Sequence, residues 1–485
     1  MPGYYVENFG CRATQADGAA LERQFEQQGL ARATATSQAS VVVLNTCTVT
    51  AAADQDARAA IRRVRRQNPE AKIIVTGCYA QRAPEEIAAL PGVSVVIGNS
   101  HKHQLAHIAL SRVGEHSAPA AFVPLTMLST LNGAAEFDAP ASSIQSEQSI
   151  FVSDIFAHTE LLAAPVFDAA NERTRPNLKI QDGCDNRCSF CVIPYVRGQS
   201  RSLSAERITS EVNTLVHAGY REVVISGINL GRWGKDLDVG PQAAGVGPKT
   251  QNLRPETSPT FVRLLREILT QTSLEKLRIS SVEPMDWTDE LIELVASSPR
   301  IAKHAHVPMQ SGSDAVLRRM HRKYRPWHYR EKIEKIHTAM PEAAIGADVM
   351  VGFPGETEEE FEATRRMIED LPFNYLHVFT YSARPGTPAA SMDNQVPVHA
   401  ARERNQILRE LAAQKKLAFM QSFLGRTLEA ITLNVTGSDA QGDFTEALTD
   451  NYLKLRLRGL HAANQWVQAR VDDVVDGALS GEEIS

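Results

Sequence analysis

The stretch Leu178-Lys179-Ile180-Gln181-Asp182-Gly183-Cys184-Asp185-Asn186-Arg187-Cys188-Ser189-Phe190-Cys191 decides the reading of this chain. Residues 178–181 read as a strand. The chain then breaks at a glycine into three cysteines spaced C-x3-C-x2-C. In open α/β sheets, ligands gather at the carboxyl ends of strands. Three thiolates on one tight loop can hold three irons of a cubane and leave the fourth open, whereas iron–sulfur clusters normally take four cysteines. Structural zinc also closes with four ligands. The spacing therefore predicts an iron–sulfur centre with one open coordination position.

Working outward, a βα series begins with that strand. Further strands are expected at 222–226, 276–281, 304–308, 344–350 and 375–380. Helices are expected between them at 205–218, 260–270, 289–297, 327–339 and 358–370. Six βα units predict a partial, open parallel barrel, (β/α)6. Upstream, strands at 4–9, 41–45, 72–77 and 93–98 alternate with helices at 17–28, 54–67 and 84–90, predicting an open parallel α/β sheet. Cys11, Cys47 and Cys78 each follow one of those strands. Free cysteine is often simply core, but three strand-end positions predict one shared edge. Downstream, a long amphipathic helix at 402–423 precedes β-like runs at 428–435, 453–457 and 466–471, which predict a small all-β barrel. The fold class is α/β, divided as 1–110, 111–175, 176–412 and 413–480.

The bulk numbers agree. At 485 residues, roughly three domains are expected. Apolar residues make up 43% and charged residues 22%, an ordinary globular mix. The net charge of −6 excludes a bulk nucleic-acid glue. Residues 115–175 carry eight acidic and two basic residues, which accounts for that charge. This segment reads as a partly disordered linker or insertion, with a short ordered patch at 152–156. Residues 235–259 read as a surface loop. No apolar run approaches the ~18 residues of a membrane span. The beginning, MPGYYVENFG, lacks the basic and apolar regions of a secretory signal. Six cysteines in so long a chain suit a reducing cytoplasm better than a disulfide scaffold.

The cysteine triple, with Phe190 beside Cys191, resembles the radical S-adenosylmethionine (SAM) superfamily. Gly10-Cys11, Asn45-Thr46-Cys47-Thr48-Val49, Gly77-Cys78-Tyr79-Ala80-Gln81, Ile193-Pro194-Tyr195-Val196-Arg197-Gly198, Gln310-Ser311-Gly312-Ser313-Asp314 and Gly352-Phe353-Pro354-Gly355-Glu356-Thr357 extend the resemblance to the methylthiotransferases. That resemblance implies a methylthiotransferase N-terminal domain, a radical SAM domain and a C-terminal TRAM domain for RNA. It implies two 4Fe-4S clusters, one on Cys184, Cys188 and Cys191, the other on Cys11, Cys47 and Cys78. The second would supply or relay the sulfur. It also implies SAM, an electron donor such as flavodoxin or ferredoxin, and a sulfur source that stays open. The run from Phe373 to Thr387 and Asn451-Tyr452-Leu453 look most like the branch acting on N6-threonylcarbamoyladenosine beside the tRNA anticodon. Sister branches act on isopentenyladenosine in tRNA or on an aspartate of a ribosomal protein. A non-catalytic iron–sulfur RNA-binding protein is a further alternative. One departure is Arg12-Ala13-Thr14-Gln15, where that branch would have Lys-Val-Asn-Gln.

Strand-end positions supply the candidate SAM contacts: Phe190, Gly227, Asn229, Ser281, Glu283, Gln310 and Asp348. Glycine at 227 would let backbone approach the methionine end of SAM. Thr357 and Glu360 form a T-x-x-E capping box, which accounts for them without a ligand. Tyr195 and Arg197 are expected near the mouth of the cysteine loop. Lys454, Arg456 and Arg458 alternate with leucines, so as a strand they share one face and would contact RNA phosphates. The run Arg62-Arg63-Val64-Arg65-Arg66 reads as a solvated helix face. His101, His103 and His107 read as surface histidines.

Overall fold

A computed structural model describes residues 3–111, 149–158, 161, 174–237, 259–439 and 442–484. Most of the acidic segment at 115–175 and of the loop at 235–259 lies outside the described residues.

The first unit is a six-stranded parallel sheet. In chain order its strands are β1 (Gly3–Asn8), β2 (Ala31–Arg32), β3 (Val41–Thr46), β4 (Lys72–Gly77), β5 (Val93–Gly98) and β6 (Ser149–Phe151), and their spatial order is β2-β1-β3-β4-β5-β6. β3 is Val41-Val-Val-Leu-Asn-Thr46 and is buried along its whole length, as a central parallel strand covered on both faces should be. One face packs on helix α2 (Ala51–Gln67) through Val42, Leu44, Ile61, Val64 and Val75. The other packs on helix α1 (Arg12–Gln27) through Tyr4, Val6, Leu21, Phe25 and Val43. Registers Asn8↔Asn45 and Thr46↔Gly77 bring the ends of β1, β3 and β4 to one edge. β6, Ser149–Phe151, pairs with β5 and lies just before the patch expected at 152–156, where a 3-10 turn at Ile155–Ala157 is found.

The central unit contains β7 (Asn177–Asp182), the short antiparallel β8 (Arg201–Ser202), β9 (Glu222–Gly227), β10 (Lys276–Ile279), β11 (His304–His306), β12 (Ala344–Val351) and β13 (Tyr375–Thr380). The first four form one sheet and the last three another. Parallel bridges Leu277↔Ile301 and Ser281↔His306 join them. The result is the expected six-stranded parallel partial barrel. The strand faces turned towards the surrounding helices bury Leu178, Ile180, Val223, Ile225, Ala305, Ile345 and Val349 against those helices, while alternate residues such as Arg278, His304, His306 and Asp348 face the cavity.

A helix at Val398–Gln421 leads to a closed barrel of β14 (Thr427–Asp439), β15 (Gly442–Thr449), β16 (Lys454–Arg458), β17 (Trp466–Val475) and β18 (Ala478–Glu483). Met420 and Phe423 at the end of that helix plug this small core beside Leu455, Leu457 and Val471. Among the described residues, no helix is long and apolar enough to cross a membrane.

Candidate active site

Cys184, Cys188 and Cys191 lie on the loop after β7 and open into a cavity of about 560 Å³ at the barrel mouth. None of the six cysteines is in a disulfide. An Arg322 N–H donates to Cys188 Sγ at 3.2 Å, and Asn229 Nδ2 lies 3.7 Å from Cys184 Sγ. Burial pushes the Cys184 thiol up to about 11. Burial and the neighbouring Cys188 push Cys191 up to about 12. Such thiols become thiolates when they bind a metal ion, which releases their protons.

Of the expected SAM contacts, Phe190, Gly227, Ser281, Glu283, Gln310 and Asp348 line this cavity, and Asn229 stands beside it against Cys184. Glu283 is ion-paired with Arg322. Gln181 holds the β9 loop, its Oε1 accepting from the Asn229 backbone N–H at 2.7 Å. Gln310 has φ +63°, a left-handed conformation that a non-glycine residue adopts at a cost. Ser226 Oγ, Gln310 Oε1 and Asn229 Oδ1 are buried with no hydrogen-bond partner. Buried polar atoms are normally satisfied, so these three fit a polar ligand such as SAM beside a three-thiolate cluster.

The second triad forms at the sheet edge of the first unit. Gly10 (φ +99°) and Gly77 (φ +98°) make it possible. A Cβ on Gly10 would fall 2.6 Å from Cys47 Cβ, and one on Gly77 would fall 2.3 Å from the Thr46 carbonyl oxygen. Only glycine allows both approaches. Cys47 is buried, and burial together with Cys78 pushes its thiol up to about 12, with Cys11 adding in the same direction. Asn99 Nδ2 lies 3.6 Å from Cys78 Sγ. Cys78 also packs on Val192 and Val196, just after the barrel cysteines. Cys11 lines the same cavity as Cys184, Cys188 and Cys191.

The two units are locked by buried ions. Asp17 on α1 meets Lys102 (3.0 Å), Lys179 on β7 and Arg197 (3.0 Å). Asp182 meets Lys179 (2.9 Å) and Arg197 (3.0 Å). Burial alone would raise both carboxyls, but the surrounding cations hold them below the usual range. Arg197 is thus an interdomain tie. It does not line the cavity, and Tyr195 is exposed. A second tie joins Arg384, beyond β13, to Asp54 and Thr48.

The small barrel adds Tyr452, from the turn between β15 and β16, where its φ is +68°. Tyr452 enters the same cavity and accepts from Arg12 at 3.1 Å. It completes a wall of rings with His304, Tyr375, His306 and His377, whose successive centroids are 4.5 to 5.9 Å apart. Arg12, Arg322, Tyr452, His304 and His306 were not singled out from the sequence as site residues. They reach the cavity from positions remote from the cysteine loop at 184–191; Arg12 is marked in the sequence only as a departure beside Cys11, and Tyr452 only by the resemblance of Asn451-Tyr452-Leu453.

On β16, Lys454, Arg456 and Arg458 share one face and Leu455 and Leu457 are buried. Arg456 meets Asp439 and Asp476, and Arg458 meets Glu482 and Asp472. Lys454 has Glu446 at 3.8 Å. Gly352–Thr357 does not line the cavity, and Thr357 and Glu360 form the capping box expected of them. On α2, Arg62, Arg65 and Arg66 are exposed, while Arg63 pairs with Glu7.

Residues 3–98 match the uncharacterized protein family UPF0004, and residues 178–368 match the radical SAM superfamily. A partial parallel barrel whose first strand ends in this cysteine loop, above a cavity with unsatisfied polar atoms, defines a radical SAM enzyme. A solved radical SAM methyltransferase, TsrM from Kitasatospora setae, shares that fold with a TM-score of 0.52, covering 92% of this chain and 84% of its own, at 13% identity. The threonylcarbamoyladenosine tRNA methylthiotransferase MtaB of Bacillus subtilis is 36% identical over 93% of this chain and 89% of its own length. That of Aquifex aeolicus is 33% identical over 96% and 99%. The chain belongs to this tRNA methylthiotransferase family. Membership implies SAM and one 4Fe-4S cluster, and the thiols and unsatisfied polar atoms around Cys184, Cys188 and Cys191 fit both.

Proposed function

We propose that this enzyme adds a methylthio group to C2 of N6-threonylcarbamoyladenosine beside the anticodon, using two 4Fe-4S clusters. The observation that carries the reading is the shared cavity. Cys11 of one triad and all three cysteines of the other face it, and the small barrel closes it with Tyr452. The relatives named above bear this activity in their names.

Cys184, Cys188 and Cys191 would hold the first cluster, and Cys11, Cys47 and Cys78 the second. When bound, the first cluster with SAM would supply radical chemistry at a substrate carbon, and the second cluster would supply sulfur. The protein's part is to position these groups. Arg322 donates to Cys188 Sγ and is itself held by Glu283. The Gln181 side chain fixes the loop carrying Gly227 and Asn229. The Asp17 and Arg384 ties hold the sulfur-side triad over the radical-side triad. The ring wall offers planar surfaces on which a base can stack. Lys454, Arg456 and Arg458 are the proposed backbone contacts, and a low-potential flavodoxin or ferredoxin is the proposed electron donor.

Mass spectrometry of tRNA nucleosides tests this reading in a host lacking its own methylthiotransferases. A 2-methylthio-N6-threonylcarbamoyladenosine peak that appears only with the gene is expected. A methylthio-isopentenyladenosine peak instead would overturn the substrate and keep the chemistry. No methylthio-nucleoside from soluble, iron-loaded protein would overturn both.

A further inference from the structure

We propose that Arg12 reads a carboxylate carried on the substituent of the substrate base. The inference rests on the threonylcarbamoyladenosine reading above and assigns the part of the cavity that would take that arm.

Three guanidinium groups line the cavity, and they differ in how their charge is met. Arg278 is paired with Glu222 at 2.7 Å and also donates to the Asp450 carbonyl at 3.0 Å. Arg322 is paired with Glu283. Among the described residues, Arg12 has no carboxylate within ion-pair reach, and its side chain donates only to the Tyr452 hydroxyl. Asp348 lines the same cavity but lies against His306, 3.4 Å away. A half-buried guanidinium without a counter-charge is costly, and the cost falls when an anion binds.

The surroundings restrict what that anion can be attached to. Tyr452 holds its left-handed backbone at the tip of a turn and so brings its hydroxyl to Arg12. Its ring continues the wall of His304, Tyr375, His306 and His377. In that wall, His306 is nine-tenths buried, and its Nε2 lies 3.4 Å from the Asp348 carboxylate without a hydrogen bond to it. A flat ring surface beside an uncompensated guanidinium suits a planar base that bears an acid group. Arginine engages a carboxylate through paired N–H donors, so geometry as well as charge discriminates. A threonylcarbamoyl arm ends in a carboxylate, and an isopentenyl arm has none. The same anion chemistry could be met by a backbone phosphate, and the test separates the two sources.

The experiment measures binding of fluorescent anticodon stem-loops to the cluster-loaded holoprotein by anisotropy. One stem-loop carries N6-threonylcarbamoyladenosine and the other its methyl ester, each titrated at several salt concentrations. The wild-type protein is expected to prefer the free acid by about ten- to a hundredfold, the range of one charge-assisted hydrogen bond. In Arg12→Ala that ratio falls to near one, and in Arg12→Lys most of it survives. Iron content checks that the sheet edge is intact. If Arg12→Ala loses iron, Arg12→Gln is read instead, with the same expected ratio. An unchanged ratio in Arg12→Ala or Arg12→Gln overturns the proposal. So does equal weakening of both stem-loops with a salt slope shallower by about one, which marks a phosphate contact. A wild-type protein that modifies the free-acid nucleoside yet binds its ester equally well refutes the role of Arg12 alone. One that modifies only another nucleoside refutes the underlying substrate reading.

Discussion

His304 shows how the ring wall depends on protonation. Its Nε2 is 2.6 Å from the Tyr375 hydroxyl. Burial, then Arg278 and His306, hold its pKa well below the usual value. Burial and then His306 lower His377 in the same direction. Both rings are therefore neutral in the folded protein, whereas in the unfolded chain they titrate near ~6.5. A lowered folded pKa means that the unfolded state takes up protons first as pH falls. The stability is complete above about pH 6.5 and is lost as pH drops towards the folded value. Asp17, Asp182 and Glu222 are also lowered, but carboxylates act in a lower window, around pH 4 and below. Denaturant unfolding between pH 7 and 5 should therefore isolate the histidines. In His304→Gln/His377→Gln the loss of stability with acid should flatten by up to about 1.4 kcal/mol per pH unit for each histidine removed. A slope equal to wild type would show that these rings titrate normally in the fold.

At the scale of elements, β16 tests how far a charge pattern can be read as a binding face. Alternation correctly placed three cations on one side and leucines in the core. What alternation could not show is that β14, β15, β17 and β18 bring carboxylates beside them, since those partners lie elsewhere in the sequence. Arg456 and Arg458 each face two carboxylates, whereas Lys454 keeps an exposed ammonium with one partner at 3.8 Å. If this face contacts tRNA, Lys454→Ala should make the salt dependence of binding shallower by about one phosphate contact, and adding Arg456→Ala and Arg458→Ala should change it little further. A drop of about three contacts in the triple variant would mean that RNA displaces the carboxylates. Helix α1 shows a similar limit. Its periodic apolar residues suggested a start near residue 17, yet it begins at Arg12. Its first turns bury Ala13, Thr14 and Ala16, and at Gly18 a Cβ would meet the Asn8 side chain at 2.0 Å. Small residues at a close interface carry no hydrophobic period. The barrel strands and helices read well because each has an apolar face. Cys184, Cys188 and Cys191 stand out in the sequence because their spacing is itself chemistry, and Cys11, Cys47 and Cys78 because each follows a strand. Arg322 has neither signal, and Tyr452 is marked only by the resemblance of Asn451-Tyr452-Leu453.

For the whole molecule, the arrangement depends on holding two cysteine triads from different domains at one cavity, and Asp17 is central to that hold. It is almost fully buried and neutralises Lys102 from its own domain and Lys179 and Arg197 from the barrel. In the sequence these residues look like ordinary surface charges, and only docking of the domains buries them. Asp17→Asn keeps the side-chain shape but leaves three buried cations, with Asp182 the carboxylate that still faces Lys179 and Arg197. Breaking a buried ion network from one side typically costs about 3–5 kcal/mol. The variant should therefore melt at lower temperature, and adding Lys102→Met should restore part of the loss by rebalancing the charge. Methylthio product should fall more than 5′-deoxyadenosine formation. Cys184, Cys188, Cys191 and Arg322 all belong to the barrel, while Cys11 depends on docking. If both activities fell in equal proportion, Asp17 would be supporting the barrel cysteines themselves, and the picture of two separately folded triads held together by buried ions would be wrong.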